Sequence, residues 1–68
     1  MQQLTDNERH LLLLLRDGKS NKDIAIVKCV ALQTVKNELS ALYEKIGAEN
    51  RTQAALYAER LVKKVLTL

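Results

Sequence analysis

Five polar side chains lie close together in the sequence, between residues 33 and 40. They are two amides, two hydroxyls and a lysine: Gln33, Thr34, Lys36, Asn37 and Ser40. Residues 33, 36, 37 and 40 share a stripe if the segment is helical, because neighbours on a helix face are three or four positions apart. An amide can pair with adenine, a lysine can contact guanine or phosphate, and a hydroxyl can contact phosphate. The stripe therefore predicts contact with the major groove of duplex DNA.

The opposite side of the same segment is apolar. Hydrophobic residues repeat there at the spacing of a buried helical stripe: Leu32, Val35, Leu39, Leu42 and Ile46. This pattern predicts a helix over residues 32–46, with the leucine side in a core and the polar stripe in solvent. The helix is expected to end at Gly47, because glycine readily adopts the left-handed backbone that closes a helix.

A shorter helix is expected just before it, over residues 21–28. Ser20 and Asp23 have the spacing of a capping box, and small Ala25 would let the two helices approach. Asn21 and Lys22 stand in its first turn, beside backbone amides whose partial positive charge suits a phosphate. Residues 19–37 carry four lysines against one aspartate, which also suits a polyanion. These features predict a helix-turn-helix.

Two further helices are expected to support this unit, over residues 6–16 and 51–66. Each begins with a polar residue followed three positions later by an acid or an amide: Thr5 and Glu8, then Asn50 and Gln53. Proline is absent and glycine occurs only twice, which favours helices joined by short turns. The sequence thus predicts an all-α fold, a compact four-helix cluster containing a helix-turn-helix, as a single domain over residues 1–68.

The composition limits the class of protein. With 68 residues the chain has room for one domain, since a chain this short buries only about 60% of its unfolded surface. The longest apolar run, Leu11 to Leu15, is far below the roughly 20 residues that cross a bilayer. Cys29 has no intrachain partner, and with no secretory leader it points to a reducing cytoplasm. We expect a cytoplasmic protein without membrane contact.

The sequence offers no catalytic centre. It has one histidine, His10, one cysteine and no glycine-rich phosphate loop. Catalysis needs ionisable groups gathered in a pocket, and a metal site needs several histidine, cysteine or carboxylate ligands. We expect no enzyme activity, no catalytic residue, no metal site and no cofactor.

Several ordered motifs give the sequence a specific resemblance. They are Leu4-Thr5-x-x-Glu8, Gly18-x-Ser20-Asn21-Lys22-Asp23-Ile24-Ala25, Thr34-Val35-Lys36-Asn37, Lys45-Ile46-Gly47 and Arg51-x-x-Ala54. In order and spacing they resemble the LuxR/GerE family of helix-turn-helix domains, as found in NarL/FixJ-type response regulators. The resemblance covers residues 4 to about 58.

The resemblance implies a sequence-specific regulator that binds double-stranded DNA as a homodimer, often as part of a larger regulator that includes a receiver domain. It implies groove-facing positions for Lys36, Asn37 and Ser40, and backbone-contacting positions for Thr34 and Asn21. The last helix would supply the dimer contact, through Val62, Val65 and Leu66.

Three positions depart from the family pattern. Lys28-Cys29 stands where the family usually has Leu-Gly, Ala31 where it has a serine cap, and Glu38 where it commonly has histidine. Either the aliphatic stem of Lys28 lies over the core, or Val27 occupies that position instead. Cys29 is expected to pack in the turn. Glu38 would accept from a cytosine amino group, pair with Lys45 or mark a loss of function.

A second interpretation is a degenerate module that acts by protein–protein contact, for example as an antagonist of a related regulator. Glu38 leaves the third helix without net charge, and Leu13, Ile26 and Val62 are surplus to the core stripes, which predicts an exposed apolar patch. Lys45 has two possible roles, a phosphate contact or an exposed ion pair with Glu8.

Overall fold

The computed structural model describes residues 3–66, and the side chains of residues 3–64. It has four helices and no strand in that range: α1 (Asp6–Arg16), α2 (Asn21–Lys28), α3 (Leu32–Ile46) and α4 (Arg51–Leu66). The all-α fold class with a helix-turn-helix is confirmed, and the helices begin and end at the residues expected from the sequence. Among residues 3–66, each helix is too short or too polar to cross a lipid bilayer.

The first two helices begin with complete capping boxes. At α1, the Thr5 hydroxyl accepts from the Glu8 N–H (3.1 Å), and the Glu8 carboxylate accepts from the Thr5 N–H (2.7 Å). At α2, Ser20 and Asp23 make the same two bonds at 3.1 and 3.4 Å. Each box satisfies two backbone donors that a helix start leaves free, which explains why both helices begin where they do.

The start of α3 is different. Its N-cap residue, Ala31, makes no side-chain hydrogen bond. The start of α4 again uses a side chain, because the Asn50 side-chain Oδ1 atom accepts from the Gln53 N–H at 2.9 Å. The helix that carries the polar stripe is therefore the one without a side-chain cap at its N-terminus.

The first three helices end with the same backbone pattern. One residue donates to the carbonyl three positions earlier, and the next residue donates to the carbonyl five positions earlier. The first of these residues has a left-handed backbone in each case: Gly18 (φ +78°), Cys29 (φ +57°) and Gly47 (φ +73°). The expectation that Cys29 packs in its turn is wrong, because its side chain is exposed. This position serves the reversal of the chain rather than the core.

One hydrophobic core joins the four helices. α1 packs mainly on α4, and α2 packs mainly on α3. Leucines of α1 meet the small residues Ala54 and Ala58 of α4, while Ile24 of α2 meets Val35 of α3, and all four of these are at most 1% exposed. Small residues let helices approach closely, and the large aliphatic residues fill the space between the two pairs.

Several large apolar side chains remain outside the core. Leu13 and Ile26 are 42% and 66% exposed, as the sequence predicted, whereas Val62 is half-buried. Leu32 was expected in the buried stripe, but it is 44% exposed because it is the first residue of α3 and lies at the edge of the core. Within residues 3–64, Val27 and Leu56 are also exposed.

Candidate nucleic-acid interface

The polar stripe of α3 lies at the surface of the molecule. Its side chains are all exposed: Gln33, Thr34, Lys36, Asn37 and Ser40. On the other side of the helix, Val35, Leu39 and Leu42 are at most 4% exposed. The helix is thus fixed to the core by one face while the other presents amides, hydroxyls and an ammonium to solvent, which is the arrangement that groove recognition requires.

A hydrogen bond links the two amides of the stripe. The Gln33 amide nitrogen donates to the Asn37 carbonyl oxygen at 3.0 Å, one helical turn away. The Gln33 carbonyl oxygen and the Asn37 amide nitrogen are then left as a neighbouring acceptor and donor. This pair of groups matches the donor and acceptor that an adenine presents in the major groove.

The N-terminus of α2 lies beside a basic side chain from α4, Arg51, to which the sequence pattern assigned no role. The Arg51 guanidinium donates to the Asn21 side-chain oxygen at 2.8 Å, which joins the start of α4 to the start of α2. Lys22 is exposed in the same turn. Lys22 and Arg51 thus place two positive charges near the backbone amides of the first turn of α2, where Asp23 adds one negative charge. Arg51 belongs to the motif Arg51-x-x-Ala54, but its bond with Asn21 joins residues thirty positions apart and could not be inferred from neighbouring residues.

Lys45 forms the ion pair that was one of its two expected roles. Its ammonium lies 2.8 Å from the Glu8 carboxylate, with the two side chains only 21% and 18% exposed, so the pair is less exposed than the sequence suggested. The Lys45 hydrogen bond, followed by the Thr5 N–H, holds the pKa of Glu8 below its ordinary value. The pair ties the end of α3 to the start of α1.

Glu38 also has a partner, and it comes from α2. Its Oε2 atom lies 3.3 Å from the Lys28 ammonium, so the pair with Lys45, one of the three roles that the sequence left open, is not formed. Lys45 instead reaches Glu8, on the neighbouring helix. Lys28 takes the inner position, with a side chain only 9% exposed, while Val27 is 51% exposed. Of the two alternatives expected at the end of α2, the structure therefore has the Lys28 stem over the core and Val27 in solvent.

The region proposed for dimer contact is only partly described. Val62 is half-buried, and the side chains of Val65 and Leu66 lie outside the described residues. Leu56 on the same helix is 52% exposed and was not singled out from the sequence. Within residues 3–64, no three histidine, cysteine or carboxylate side chains come together as a possible metal site.

Comparison with known proteins adds an independent line of evidence. The family model described as bacterial regulatory proteins, luxR family, matches residues 2–58. The chain is 53% identical over 58 residues to the DNA-binding transcriptional activator DevR/DosR of Mycobacterium tuberculosis, a match covering 85% of this chain and 27% of that protein. It is 40% identical over 55 residues to the response regulator protein VraR of Staphylococcus aureus and of Staphylococcus saprophyticus. Each of these matches covers 81% of this chain and 26% of the relative. The chain spans about a quarter of the length of these relatives.

Proposed function

Because this chain belongs to the luxR family of bacterial regulatory proteins, we propose that it is a sequence-specific DNA-binding transcription regulator. The observation that carries the proposal is the exposed polar stripe of α3 over a buried aliphatic face. The match to a DNA-binding transcriptional activator supports it as well. In this proposal α3 enters the major groove of duplex DNA in the cytoplasm.

Residues of the stripe divide into base-reading and backbone-contacting groups. Lys36 reaches guanine or phosphate, and the linked amides of Gln33 and Asn37 read an adenine edge. Thr34 and Ser40 donate hydroxyl groups to phosphates. This division follows from the chemistry of the side chains, since amides and ammonium groups pair with base edges and hydroxyls donate to phosphate oxygens.

A phosphate is held at the N-terminus of α2. Lys22 supplies an exposed ammonium, Asn21 an amide group, and Arg51 adds charge from α4. Lys45 contacts a further phosphate only if it exchanges its bond with Glu8 for one with the DNA. We therefore expect Lys45 to contribute less to affinity than Lys22.

Two copies bind together in this proposal. Val62, Val65 and Leu66 of α4 form the contact, and the two α3 helices address half-sites about 34 Å apart, one turn of DNA. Since the chain spans about a quarter of its relatives, the domain would serve as the DNA-binding part of a larger regulator that includes a receiver domain.

A selection from random DNA duplexes at low salt tests the proposal. We expect one sequence to be enriched and its binding to weaken as salt rises. Lys36→Ala should weaken binding to that sequence by about tenfold, whereas Lys63→Ala, an equal loss of charge from exposed α4, should change it by less than about twofold. Failure to enrich any duplex would overturn the proposal, and equal effects of the two substitutions would overturn the assignment of the α3 face.

A second candidate is the protein–protein module, which the exposed side chains of Leu13 and Ile26 favour. Such a module would bind no duplex itself but would associate with a related regulator. The substitution Glu38→His separates the two: if it creates DNA binding that the parent lacks, the chain is a degenerate module. If the parent already binds, this candidate fails.

A further inference from the structure

The carboxylate of Glu38 stands next to the proposed DNA-contacting residues. Residue 38 directly follows Asn37 and lies one helical turn after Thr34. A free carboxylate at this place would lie within the screening length of the phosphates that its neighbours contact, about 10 Å at moderate salt, and would repel them. Glu38 should therefore oppose DNA binding unless its charge is cancelled.

In the structure this carboxylate lies next to the ammonium group of Lys28, the last residue of α2. Lys28 Nζ lies 3.3 Å from Glu38 Oε2, and the two side chains are 9% and 28% exposed. The Oε2 atom is closed off from solvent and makes no hydrogen bond in the described part of the chain, so the contact is ionic. The same ammonium donates to the side-chain oxygen of Asn7 at the start of α1. Three helices thus meet at one lysine.

We infer that Lys28 is an internal counter-ion that turns Glu38 inward and cancels its charge toward DNA. This inference rests on the proposed function, and it makes Lys28 a positioning residue for DNA binding rather than a contact. The two residues that depart from the family pattern at the end of α2 and in α3 are then a single feature. Lys28 permits Glu38 at this place. Glu38 alone would repel phosphate, and Lys28 alone would be a largely buried ammonium without a counter-charge, which costs folding stability rather than DNA affinity.

The electrostatics of the neighbouring charges support this role. Lys36 has no ion-pair partner among the described residues, so with Glu38 cancelled its charge dominates the N-terminal half of α3. Partial burial strengthens the attraction between the two charges, because a weakly hydrated pair is less screened by water and salt than an exposed one. If Lys28 is lost, Glu38 either stays buried without a counter-charge or turns toward the DNA, and both outcomes weaken binding.

A double-mutant cycle on the full chain tests the inference. The variants are Lys28→Met, which keeps an unbranched stem, Glu38→Gln, which keeps the shape, and the double variant. Affinity is measured for the selected duplex over a range of salt concentrations, with circular dichroism to verify that each variant is folded. We expect Lys28→Met to weaken binding by about tenfold at low salt, Glu38→Gln to bind at least as tightly as the parent, and the double variant to return to within about twofold.

Salt separates this role from a purely structural one. Repulsion of phosphate by an uncancelled carboxylate is screened, so the tenfold loss in Lys28→Met should shrink to about twofold at high salt. A displaced α3 would instead lose the same factor at every salt concentration. Lys28→Arg, which retains the charge, should bind within about threefold of the parent. Binding of Lys28→Met within twofold of the parent at low salt, or a double variant as weak as that single one, would overturn the inference.

Failure of the proposed function would be recognised separately. If the parent enriches no duplex, the proposed function fails and the role of Lys28 toward DNA fails with it. The ion pair itself is then decided by urea unfolding of the same four chains without DNA. We expect Glu38→Gln to lower the urea midpoint in the parent background and to change it little in the Lys28→Met background.

Discussion

The two connections that flank α2 close their helices with the same hydrogen bonds but with different residues. Between α1 and α2, Gly18 takes the left-handed backbone and Ser20 caps the next helix. Between α2 and α3, Cys29 takes the left-handed backbone and Ala31 offers no side-chain cap. The first connection is favoured by its own residues, whereas the second adopts the same geometry without that help.

The difference shows where the position of α3 comes from. A non-glycine residue in the left-handed region costs about 1–2 kcal/mol, and a missing cap costs about 1 kcal/mol. Contacts distant in sequence must offset these costs at the second connection. The candidates are the packing of Ile24 against Val35 and the ion pair of Lys28 with Glu38. The proposed recognition helix is thus held by tertiary contacts more than by its own turn.

The largest expected effect comes from removing the packing across the second connection. Ile24→Ala should lower the free energy of unfolding by about 3 kcal/mol, because Ile24 is fully buried between the helices. Ile26→Ala provides the matched control: it makes the same change in the same helix at a side chain that is 66% exposed, and should cost less than about 0.5 kcal/mol. Urea unfolding followed by circular dichroism measures both. A cost below about 1 kcal/mol for Ile24→Ala would show that local chemistry holds the turn.

An effect of intermediate size is expected from adding a side-chain cap to α3 and from removing the cap of α2. Ala31→Ser should stabilise the chain by about 1 kcal/mol, because a serine there can accept from the exposed backbone amides of the first turn of α3. Ser20→Ala should destabilise it by a similar amount through loss of the bond with the Asp23 N–H. Thermal unfolding of both variants provides the test. If Ala31→Ser gives no stabilisation, the start of α3 is fixed in a geometry that a side chain cannot cap.

The left-handed residues give a smaller effect. Cys29→Gly should stabilise the chain by about 0.5 kcal/mol, since relief of the left-handed strain exceeds the extra entropy of glycine in the unfolded chain. Gly18→Ala is the converse change; a Cβ there meets no atom within 4 Å, so its cost of about 1 kcal/mol is backbone strain alone. Urea midpoints compare the two. Destabilisation by Cys29→Gly would mean that the exposed thiol makes a contribution beyond its backbone.

Features that depend on near neighbours could be predicted from the sequence. The capping boxes of Thr5 and Ser20 involve residues three positions apart, so their residue types alone locate two helix starts. The polar stripe of α3 likewise follows from helical spacing, and the structure leaves it exposed. Local pattern is sufficient wherever the interacting groups share one helix or one turn.

Features that depend on how the helices pack could not be predicted in this way. The sequence suggests Lys45 as a partner for Glu38 because both lie in α3, yet the partner is Lys28 of α2, which comes close to Glu38 only when the two helices pack together. The bond between Asn21 and Arg51 joins residues thirty positions apart. Cys29 was placed in the turn by its size, but the left-handed backbone of the reversal leaves its side chain in solvent.

The smallest expected effect concerns Glu8, whose side chain makes both a local and a tertiary contact. Glu8 caps α1 through the Thr5 N–H and also pairs with Lys45 of α3. Since the Lys45 bond lowers the pKa of Glu8 in the folded chain, the charged carboxylate adds stability above its ordinary pKa, and this stability is lost as pH falls through the folded-state pKa. Glu8→Gln keeps the capping contact, because glutamine also serves in a capping box, but removes the charge.

We therefore expect Glu8→Gln to be less stable than the parent at neutral pH and to approach it as the pH falls below about 4. Lys45→Met should produce the same loss at neutral pH, since it removes the other member of the pair. Taking the difference between parent and variant cancels the titration of the other carboxylates, so urea midpoints measured across this range isolate Glu8. If Lys45→Met instead stays as stable as the parent across this range, the contribution of Glu8 belongs to the cap alone, because the bond from the Thr5 N–H also lowers the pKa of Glu8. The position of α3 would then depend on its contacts with α2.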